Sequence, residues 1–220
     1  MSNNKGRMKL YTSTGTRKTI EECNKLNIGL LMVDTWRNPD EWPYFAIDNG
    51  CFAAYHREED WSPAPFLRIL SRVREEKRMP EFIVVPDIPL SPDSLAFSKA
   101  WLPLLKLMYP DFPRYLAVQD GMEPIQIIGM VPDLAGIFIG GSIDWKMETL
   151  PTWVKFAHEH GLDCHVGRIG PTKRMMICEL AGADSIDSTT WVQNRGGINH
   201  YVGGFNSQTR IEDHSEDVLE

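Results

Sequence analysis

The sequence predicts a compact (β/α)8 barrel of the TIM type, and three observations carry this prediction. Eight short strand-like runs recur along the chain, several of them continuously apolar, as is typical of strands buried on both faces of a parallel sheet. Most runs are followed by a segment with helical features, and this alternation favours parallel strands. About eight such units close a barrel. The alternative is an open doubly wound sheet, but no GxGxxG sequence follows the first strand.

The predicted strands are short runs that end at polar or turn-forming residues. In chain order they are residues 9–12, 29–33, 44–47, 82–85, 115–118, 136–139, 163–166 and 185–186. The second run contains no polar residue before Asp34, which suits burial on both faces of a sheet. The eighth run ends at Asp187, and three hydroxylated residues follow it.

The predicted helices fill most of the intervals between these strands. They cover residues 19–26, 65–77, 94–109, 123–130, 150–160 and 172–181. The segment 65–77 has its apolar residues at helical spacing. Pro103 is expected to kink or split its helix, whereas Pro124 and Pro151 fall in first turns, where proline is tolerated. The tail 192–220 is only weakly predicted, and the whole chain 1–220 is expected to form a single domain.

Composition and charge describe an ordinary globular chain. Hydrophobic residues make up 42% and charged residues 24% of its 220 residues, so one core can form without disulfides or structural metals. The net charge is -7. An acidic chain is not a generic polyanion binder, because phosphate contacts need clustered lysine and arginine. A nucleic-acid partner would therefore require the basic residues to be concentrated on one face.

The cysteines and the N-terminus bear on localisation and metals. The four cysteines are far apart and form no CxxC pair, which argues against a zinc ribbon or redox pair and suits a reducing compartment. No apolar run approaches the roughly 18 residues of a membrane span, and the polar N-terminus does not resemble a signal peptide. We therefore expect a cytoplasmic protein with no membrane partner and no metal site.

Polar residues and glycines collect just after the predicted strands, where barrels place their active sites. They are Asp34, Asp48, Asp87, Gln119, Asp120, Gly140, Gly141, Arg168 and Asp187. A single aspartate after a strand is more often a turn or helix-cap residue. Four strands that end in a carboxylate and a fifth that ends in an amide indicate a shared site.

This set of groups suits a flat, polar ring. Carboxylates accept hydrogen bonds from ring N–H and amino groups, and a glutamine amide can donate to a ring carbonyl. The two consecutive glycines leave backbone N–H groups open to close approach. Together these groups match the edge of a guanine-like base. A further carboxylate, for which Asp187 is the candidate, could attack a sugar carbon and hold a covalent intermediate, and crowding among carboxylates raises some pKa values.

Five segments, in chain order and each at a predicted strand end, resemble motifs of the queuine/archaeosine tRNA-guanine transglycosylase superfamily. This superfamily includes phage-associated enzymes that put 7-deazaguanines into DNA. The segments are Ile47-Asp48-Asn49-Gly50-Cys51-Phe52, Val85-Pro86-Asp87, Val118-Gln119-Asp120-Gly121, Phe138-Ile139-Gly140-Gly141 and Gly182-Ala183-Asp184-Ser185-Ile186-Asp187. The resemblance implies that Asp187 is the nucleophile on the sugar C1′ and Asp48 the general acid/base. It also implies that the base is held by Asp87, Gln119 and the backbone of Gly140 and Gly141.

The reaction implied by the resemblance is exchange of guanine for a 7-deazaguanine, through a covalent intermediate and without a cofactor. The chain departs from the family at three points. No cysteine follows Cys178, so the Cys/His zinc site of the tRNA enzymes and its subdomain are not expected. Cys51 and Asp120 stand where the family has glycine. The chain is similar to the short phage-type DNA 7-deazaguanine transglycosylases, which would act in the host cytoplasm.

The nucleic-acid partner is expected to be DNA rather than tRNA, and two alternatives stay open. One is the same exchange on tRNA, and the other is a non-catalytic barrel that binds a base or nucleic acid. Basic residues from the end of the seventh strand onward are candidates for phosphate contacts, although a scattered, solvated set is an equal alternative. They are Arg168, Lys173, Arg174 and Arg195.

Overall fold

The computed structural model describes residues 7–13, 15–193, 197–203 and 205. Eight parallel strands follow one another in chain order and close into a barrel, with the last strand paired to the first. The predicted (β/α)8 barrel is therefore confirmed. The strands are β1 (Lys9–Thr12), β2 (Ile28–Met32), β3 (Phe45–Ile47), β4 (Ile83–Val85), β5 (Arg114–Val118), β6 (Gly136–Ile139), β7 (Asp163–Val166) and β8 (Ser185–Asp187).

Helices lie between successive strands. They are α1 (Arg17–Lys25), α2 (Cys51–His56), α3 (Pro63–Glu75), α4 (Ser94–Met108), α5 (Ile143–Glu159), α6 (Thr172–Leu180) and α7 (Thr190–Gln193). Short 3-10 helices cover Pro39–Glu41, Pro124–Gln126 and Ile128–Asp133, and a π-helical turn covers Asn199–Gly203. Within the described ranges, no helix combines the length and the apolar character needed to cross a membrane.

The predicted helix at 123–130 is wrong. Two 3-10 helices, Pro124–Gln126 and Ile128–Asp133, occupy this interval. Gly129 and Pro132 both disfavour a continuous α-helix, and a 3-10 helix tolerates short runs of such residues. The chain therefore crosses from β5 to β6 without a full α-helix.

The helix predicted at 150–160 begins earlier, at Ile143, and contains Pro151 in its interior. Its start is set by a contact over a long sequence separation, because the side chain of Asp120 accepts a hydrogen bond from the backbone N–H of Ser142 (2.7 Å) and another from the hydroxyl of the same residue. Pro103 likewise lies inside α4, which the structure keeps as one helix. The expected split at Pro103 is therefore absent.

The barrel interior is filled with side chains and is not a pore, as is usual for this fold. Inward-facing residues form one apolar cluster, while a larger core lies between the strands and the helices. The rings of Phe82 and Tyr115 stack inside the barrel with centroids 4.1 Å apart. Because this cluster fills the interior, a ligand can enter only from an end of the barrel.

The start of β6 offers a test of this packing. Gly136 faces Tyr115, whose ring would lie 2.5 Å from an added Cβ, and that ring is held by its stack on Phe82 and by a hydrogen bond to Asp163 (2.8 Å). We expect Gly136→Ala to lower the free energy of unfolding by about 1–3 kcal/mol through overpacking, as measured by urea denaturation. Gly129→Ala is the control, because a Cβ there meets open space. Equal effects of the two variants would contradict this packing.

Candidate active site

A cavity of about 420 Å³ opens at the carboxyl ends of the strands, within the range of ~300–1,000 Å³ that is usual for small-molecule sites. Apolar side chains from β4, β5 and β6 form part of its wall. Of the residues that the sequence nominates for the site, six line this cavity: Asp48, Asp87, Gln119, Gly140, Arg168 and Asp187. The structure therefore brings three carboxylates from β3, β4 and β8 to one place.

Asp187 is the last residue of β8 and has only 8% of its surface exposed. Its oxygen Oδ1 lies 3.0 Å from Nε2 of His165 and accepts a hydrogen bond from the backbone N–H of Arg168 (3.1 Å). Within the described part of the chain, no hydrogen bond reaches the other oxygen, Oδ2. One oxygen is therefore held in place, and the other is available to a ligand in the cavity.

Asp48 follows β3 at the cavity wall. Its Oδ1 accepts a hydrogen bond from the N–H of Gly50 (2.7 Å). The pKa of Asp48 is raised to about 7, chiefly by burial and also by the negative charges of Asp187 and Asp87, while the hydrogen bond from Gly50 and the charge of Arg168 lower it. A carboxyl group with a pKa near neutrality can both give and accept a proton at working pH.

Asp87 is held by two side-chain amides. Asn49 donates to its Oδ1 (2.8 Å), and Gln119 donates to its Oδ2 (2.5 Å). Burial raises the pKa of Asp87 to about 6, although both amide hydrogen bonds oppose this change. Asn49 is itself fixed, because it also donates to the carbonyl of Val85 (3.0 Å) and accepts from the N–H of Cys51 (2.8 Å). Asp87 is thus a rigid acceptor.

The backbone N–H groups of the two glycines after β6 were expected to be open to a ligand, and the structure shows otherwise. The N–H of Gly140 donates to the carbonyl of Val118 (2.9 Å), and the N–H of Gly141 donates to Oε1 of Gln119 (2.8 Å). Both N–H groups are thus already paired, rather than open to a base. Gly140 matters sterically instead, since an added Cβ would lie 2.6 Å from Nε2 of Gln119.

Arg168 lies inside the cavity and not on a separate basic surface. Its guanidinium sits 3.8 Å from the ring centroid of Phe52 and donates to the carbonyl of Gly141. Its φ of 62° is left-handed, which is uncommon for a residue other than glycine and is often found at functional sites. Burial lowers the pKa of Arg168, while nearby carboxylates, Asp187 foremost, raise it.

Lys173 and Arg174 do not line the cavity. Lys173 is exposed and Arg174 is half-buried, both near the start of α6. This helix follows β7, so its first turn lies on the same side of the barrel as the cavity. Arg195 lies outside the described residues. Of the three basic candidates that lie within the described residues, only Arg168 lines the cavity with the carboxylates.

Two acidic strand ends make other contacts. Asp34 is exposed and forms an ion pair with Arg57 (3.0 Å). Asp120 accepts hydrogen bonds from the backbone and the hydroxyl of Ser142 at the start of α5. The cap explanation therefore holds for Asp120, whereas Asp34 takes part in a surface ion pair.

Three polar residues near the site were not singled out from the sequence: Asn49, His165 as a partner of Asp187, and Lys146. Lys146 is fully buried in α5 and donates to the carbonyl of Gly167, and burial lowers its pKa to about 7. The sequence did contain a signal for His165. Side chains two apart lie on the same face of a strand, so the alternation along β7 could have indicated which face His165 occupies.

Across the described ranges, no group of three or more His, Cys, Asp or Glu side chains is arranged to hold a metal ion.

The fold and the cavity define a (β/α)8 barrel with a carboxylate-rich cavity at the carboxyl ends of its strands. No protein-family model matches the chain, and no curated protein does so. Solved structures similar to it include the protein described as "QR15, an Aldolase", with a TM-score of 0.57 and 12% sequence identity, over 96% of this chain and 99% of that chain. At this identity, the likeness shows the fold alone.

The raised pKa of Asp48 predicts a pH-dependent stability. In the folded protein this pKa is about 7, against an ordinary value of 3.8, so folded Asp48 keeps its proton where the unfolded chain has lost it. Stability from this group is therefore present below pH ~4 and is lost as the pH rises toward ~7. Because Asp48 is partly open to the cavity, we expect a loss of about 1–3 kcal/mol, which is less than the full linkage value.

The measurement is chemical denaturation of the wild type and of Asp48→Asn between pH 4 and pH 8. The difference between their free energies of unfolding reports Asp48 together with its electrostatic coupling to Asp87 and Asp187, because all other titrating groups are shared. We expect wild-type stability to fall relative to the variant across this window. A difference that stays constant with pH would show that Asp48 is ionised throughout.

Proposed function

We propose that this protein is an enzyme, a base-exchanging glycosyltransferase that replaces guanine in DNA by a 7-deazaguanine derivative through a covalent intermediate on Asp187. The observation that carries the proposal is the convergence of Asp48, Asp87 and Asp187 in one cavity, each in a different environment. These are the three carboxylates to which the family resemblance gives separate roles. No metal or organic cofactor is required for the steps below.

The first half-reaction uses Asp187 and Asp48. Oδ2 of Asp187 forms a bond to the sugar C1′ while the bond from C1′ to the guanine nitrogen breaks, and the electron pair of that bond passes to the base. Protonated Asp48 donates its proton to the departing guanine, which leaves neutral. A carboxyl group whose pKa is raised to about 7 is a suitable acid for this transfer at neutral pH.

The second half-reaction reverses these steps with a different base. Ionised Asp48 removes the proton from the ring nitrogen of the incoming 7-deazaguanine. That nitrogen attacks C1′, the ester bond to Asp187 breaks, and its electron pair returns to the carboxylate. Asp187 and Asp48 thus end the cycle in the states in which they began.

Asp87 suits recognition of the base. Its oxygens each accept one amide hydrogen bond, from Asn49 and from Gln119, and each keeps a further lone pair. A guanine-type base offers a ring N–H and an amino group side by side, which can donate to one carboxylate. Gln119 uses one hydrogen of its amide on Asp87 and has a second for a ring carbonyl.

DNA is preferred over tRNA as the polymer. The resemblance of the chain to the short phage-type DNA 7-deazaguanine transglycosylases supports this preference. A base in duplex DNA must leave the stack to reach a cavity of this kind, at a cost of a few kcal/mol. Arg168 in the cavity and Lys173 and Arg174 near the start of α6 can meet phosphates on either side of the flipped nucleotide.

Loss of the nucleophile tests the proposal directly. We expect Asp187→Ala to abolish uptake of a labelled 7-deazaguanine into DNA and to abolish a protein–DNA adduct detected by mass spectrometry after denaturation. The matched control is Asp34→Ala, which removes an exposed strand-end carboxylate outside the cavity and should retain activity. Parallel assays on tRNA distinguish the two polymers. Base binding by the wild type without adduct or uptake would instead support a non-catalytic barrel.

Asp87 should govern recognition more than chemistry. Asp87→Asn replaces one acceptor oxygen by a donor NH₂ that faces the amide donor of either Asn49 or Gln119. It should therefore raise KM for the incoming base by about 10–100-fold, equivalent to ~1.4–2.7 kcal/mol, with a smaller effect on kcat. Steady-state kinetics with varied base concentration measures this split. A fall in kcat at unchanged KM would assign Asp87 to the chemical step and not to base binding.

A further inference from the structure

We propose that His165 is a positioning residue for Asp187. Its neutral ring donates from Nε2 to Oδ1 of Asp187 and accepts at Nδ1 from Ser185, so that Oδ2 is the oxygen that faces the cavity and attacks. The catalytic part of this inference rests on the proposed function. The assignment of the hydrogen bonds does not.

His165 is fully buried between two polar partners. Its Nε2 lies 3.0 Å from Oδ1 of Asp187, and its Nδ1 lies 2.8 Å from the hydroxyl oxygen of Ser185. Both partners belong to β8, where His165 of β7 is paired in register with Ser185. Since Ser185 and Asp187 are two residues apart, they present their side chains on the same face of the strand, and one imidazole can bridge them.

Aromatic rings fix the plane of this imidazole. The ring of Phe138 stacks on it with centroids 4.6 Å apart and an interplanar angle of 24°. Phe82 and Tyr11 pack on it at 5.2 Å and 5.8 Å. This packing leaves the ring little freedom to turn away from Asp187.

The protonation of the ring follows from its partners and its burial. A carboxylate is an acceptor only, so Nε2 carries the hydrogen and Nδ1 accepts from the hydroxyl of Ser185. Burial lowers the pKa of His165 and the charge of Lys146 lowers it too, although Asp187 opposes this change. The donor to Asp187 is therefore a neutral N–H.

A second donor reaches the same oxygen. The backbone N–H of Arg168 lies 3.1 Å from Oδ1 of Asp187. The preceding residue, Gly167, is anchored on both sides, since its N–H donates to Ile139 (3.1 Å) and its carbonyl accepts from the buried Lys146. Two fixed donors therefore converge on Oδ1, which explains why Oδ2 is left for the substrate.

A neutral donor suits a carboxylate that must become an ester and then leave. An imidazolium would stabilise the free carboxylate strongly and would lose much of that interaction when the ester forms, because hydrogen bonds with a charged donor are roughly twice as strong as neutral ones. The neutral N–H of His165 holds the carboxylate of Asp187 in the same position, and less interaction energy is lost when the ester forms. In the second half-reaction, the same donor meets the negative charge as it returns to Asp187.

The kinetic test compares two substitutions at the same position. His165→Leu removes the donor, and we expect the single-turnover rate of adduct formation to fall about 100-fold, as for the loss of a preorganised donor, while KM for DNA stays within about threefold. His165→Gln keeps a neutral N–H near the position of Nε2, and it should form the adduct at least about tenfold faster than His165→Leu. His158→Leu is the matched control, because His158 contacts Asp184 (2.9 Å) outside the cavity, and it should leave the rate unchanged.

Two kinetic outcomes would overturn the inference. One is a leucine variant that reacts as fast as the wild type. The other is equal loss of rate in the glutamine and leucine variants, in proportion to a loss of thermal stability, which would assign His165 to packing alone.

A second measurement does not depend on activity. The ¹⁵N chemical shifts of the His165 ring should show the neutral tautomer with hydrogen on Nε2 at pH 7, and Asp187→Asn should change the signal of that nitrogen. A ring protonated at Nδ1 alone, or at both nitrogens, would overturn the inference whatever the activity. If the expected tautomer is found in a wild type that forms no adduct, the hydrogen-bond assignment stands and the proposed function fails.

Discussion

Closure of the sheet between its last and first strands is the constraint on which the site depends. β8 pairs with β1 in register, Asp187 opposite Tyr11, and the N–H of Ser188 continues this ladder to the carbonyl of Tyr11 (3.0 Å). Without this pairing, Asp187 would end an edge strand far along the sheet from β3 and β4. With it, carboxylates that are 139 residues apart in the sequence (from Asp48 to Asp187) line one cavity.

Bringing three carboxylates together is electrostatically costly, and each is stabilised in a different way. Burial and its neighbours' charges raise the pKa of Asp48 to about 7, while Asp87 is held by two amides and Asp187 by an imidazole and a backbone N–H. Arg168 adds a positive charge among them. Groups held in different environments can take on different acid–base roles. One cavity therefore contains a carboxyl group with a pKa near neutrality and, beside it, a carboxylate with one oxygen that accepts no hydrogen bond from the described residues.

The sequence predicts what depends on local pattern. Strands at 9–12, 136–139 and 163–166 have the predicted bounds. The residues at the carboxyl ends of the predicted strands include the carboxylates that line the cavity. It does not predict what depends on pairing between distant segments. The start of α5 is set by Asp120, and the partners of His165 are set by the register of β7 against β8. Neither contact leaves a periodic signal, because each joins residues about twenty positions apart.

The details of the cavity favour catalysis over simple binding of a base. In the proposed function, one fixed acceptor recognises the edge of the base, and Asp87 with its two amides is that acceptor. A binding pocket gains nothing from two further buried carboxyl groups, since desolvation makes each one costly. Asp187 nevertheless has one oxygen fixed by two donors and the other unpaired among the described residues, and Asp48 beside it has a pKa near neutrality. The nucleophile and the adjacent proton carrier of the proposed function would account for that cost, whereas a passive receptor would not.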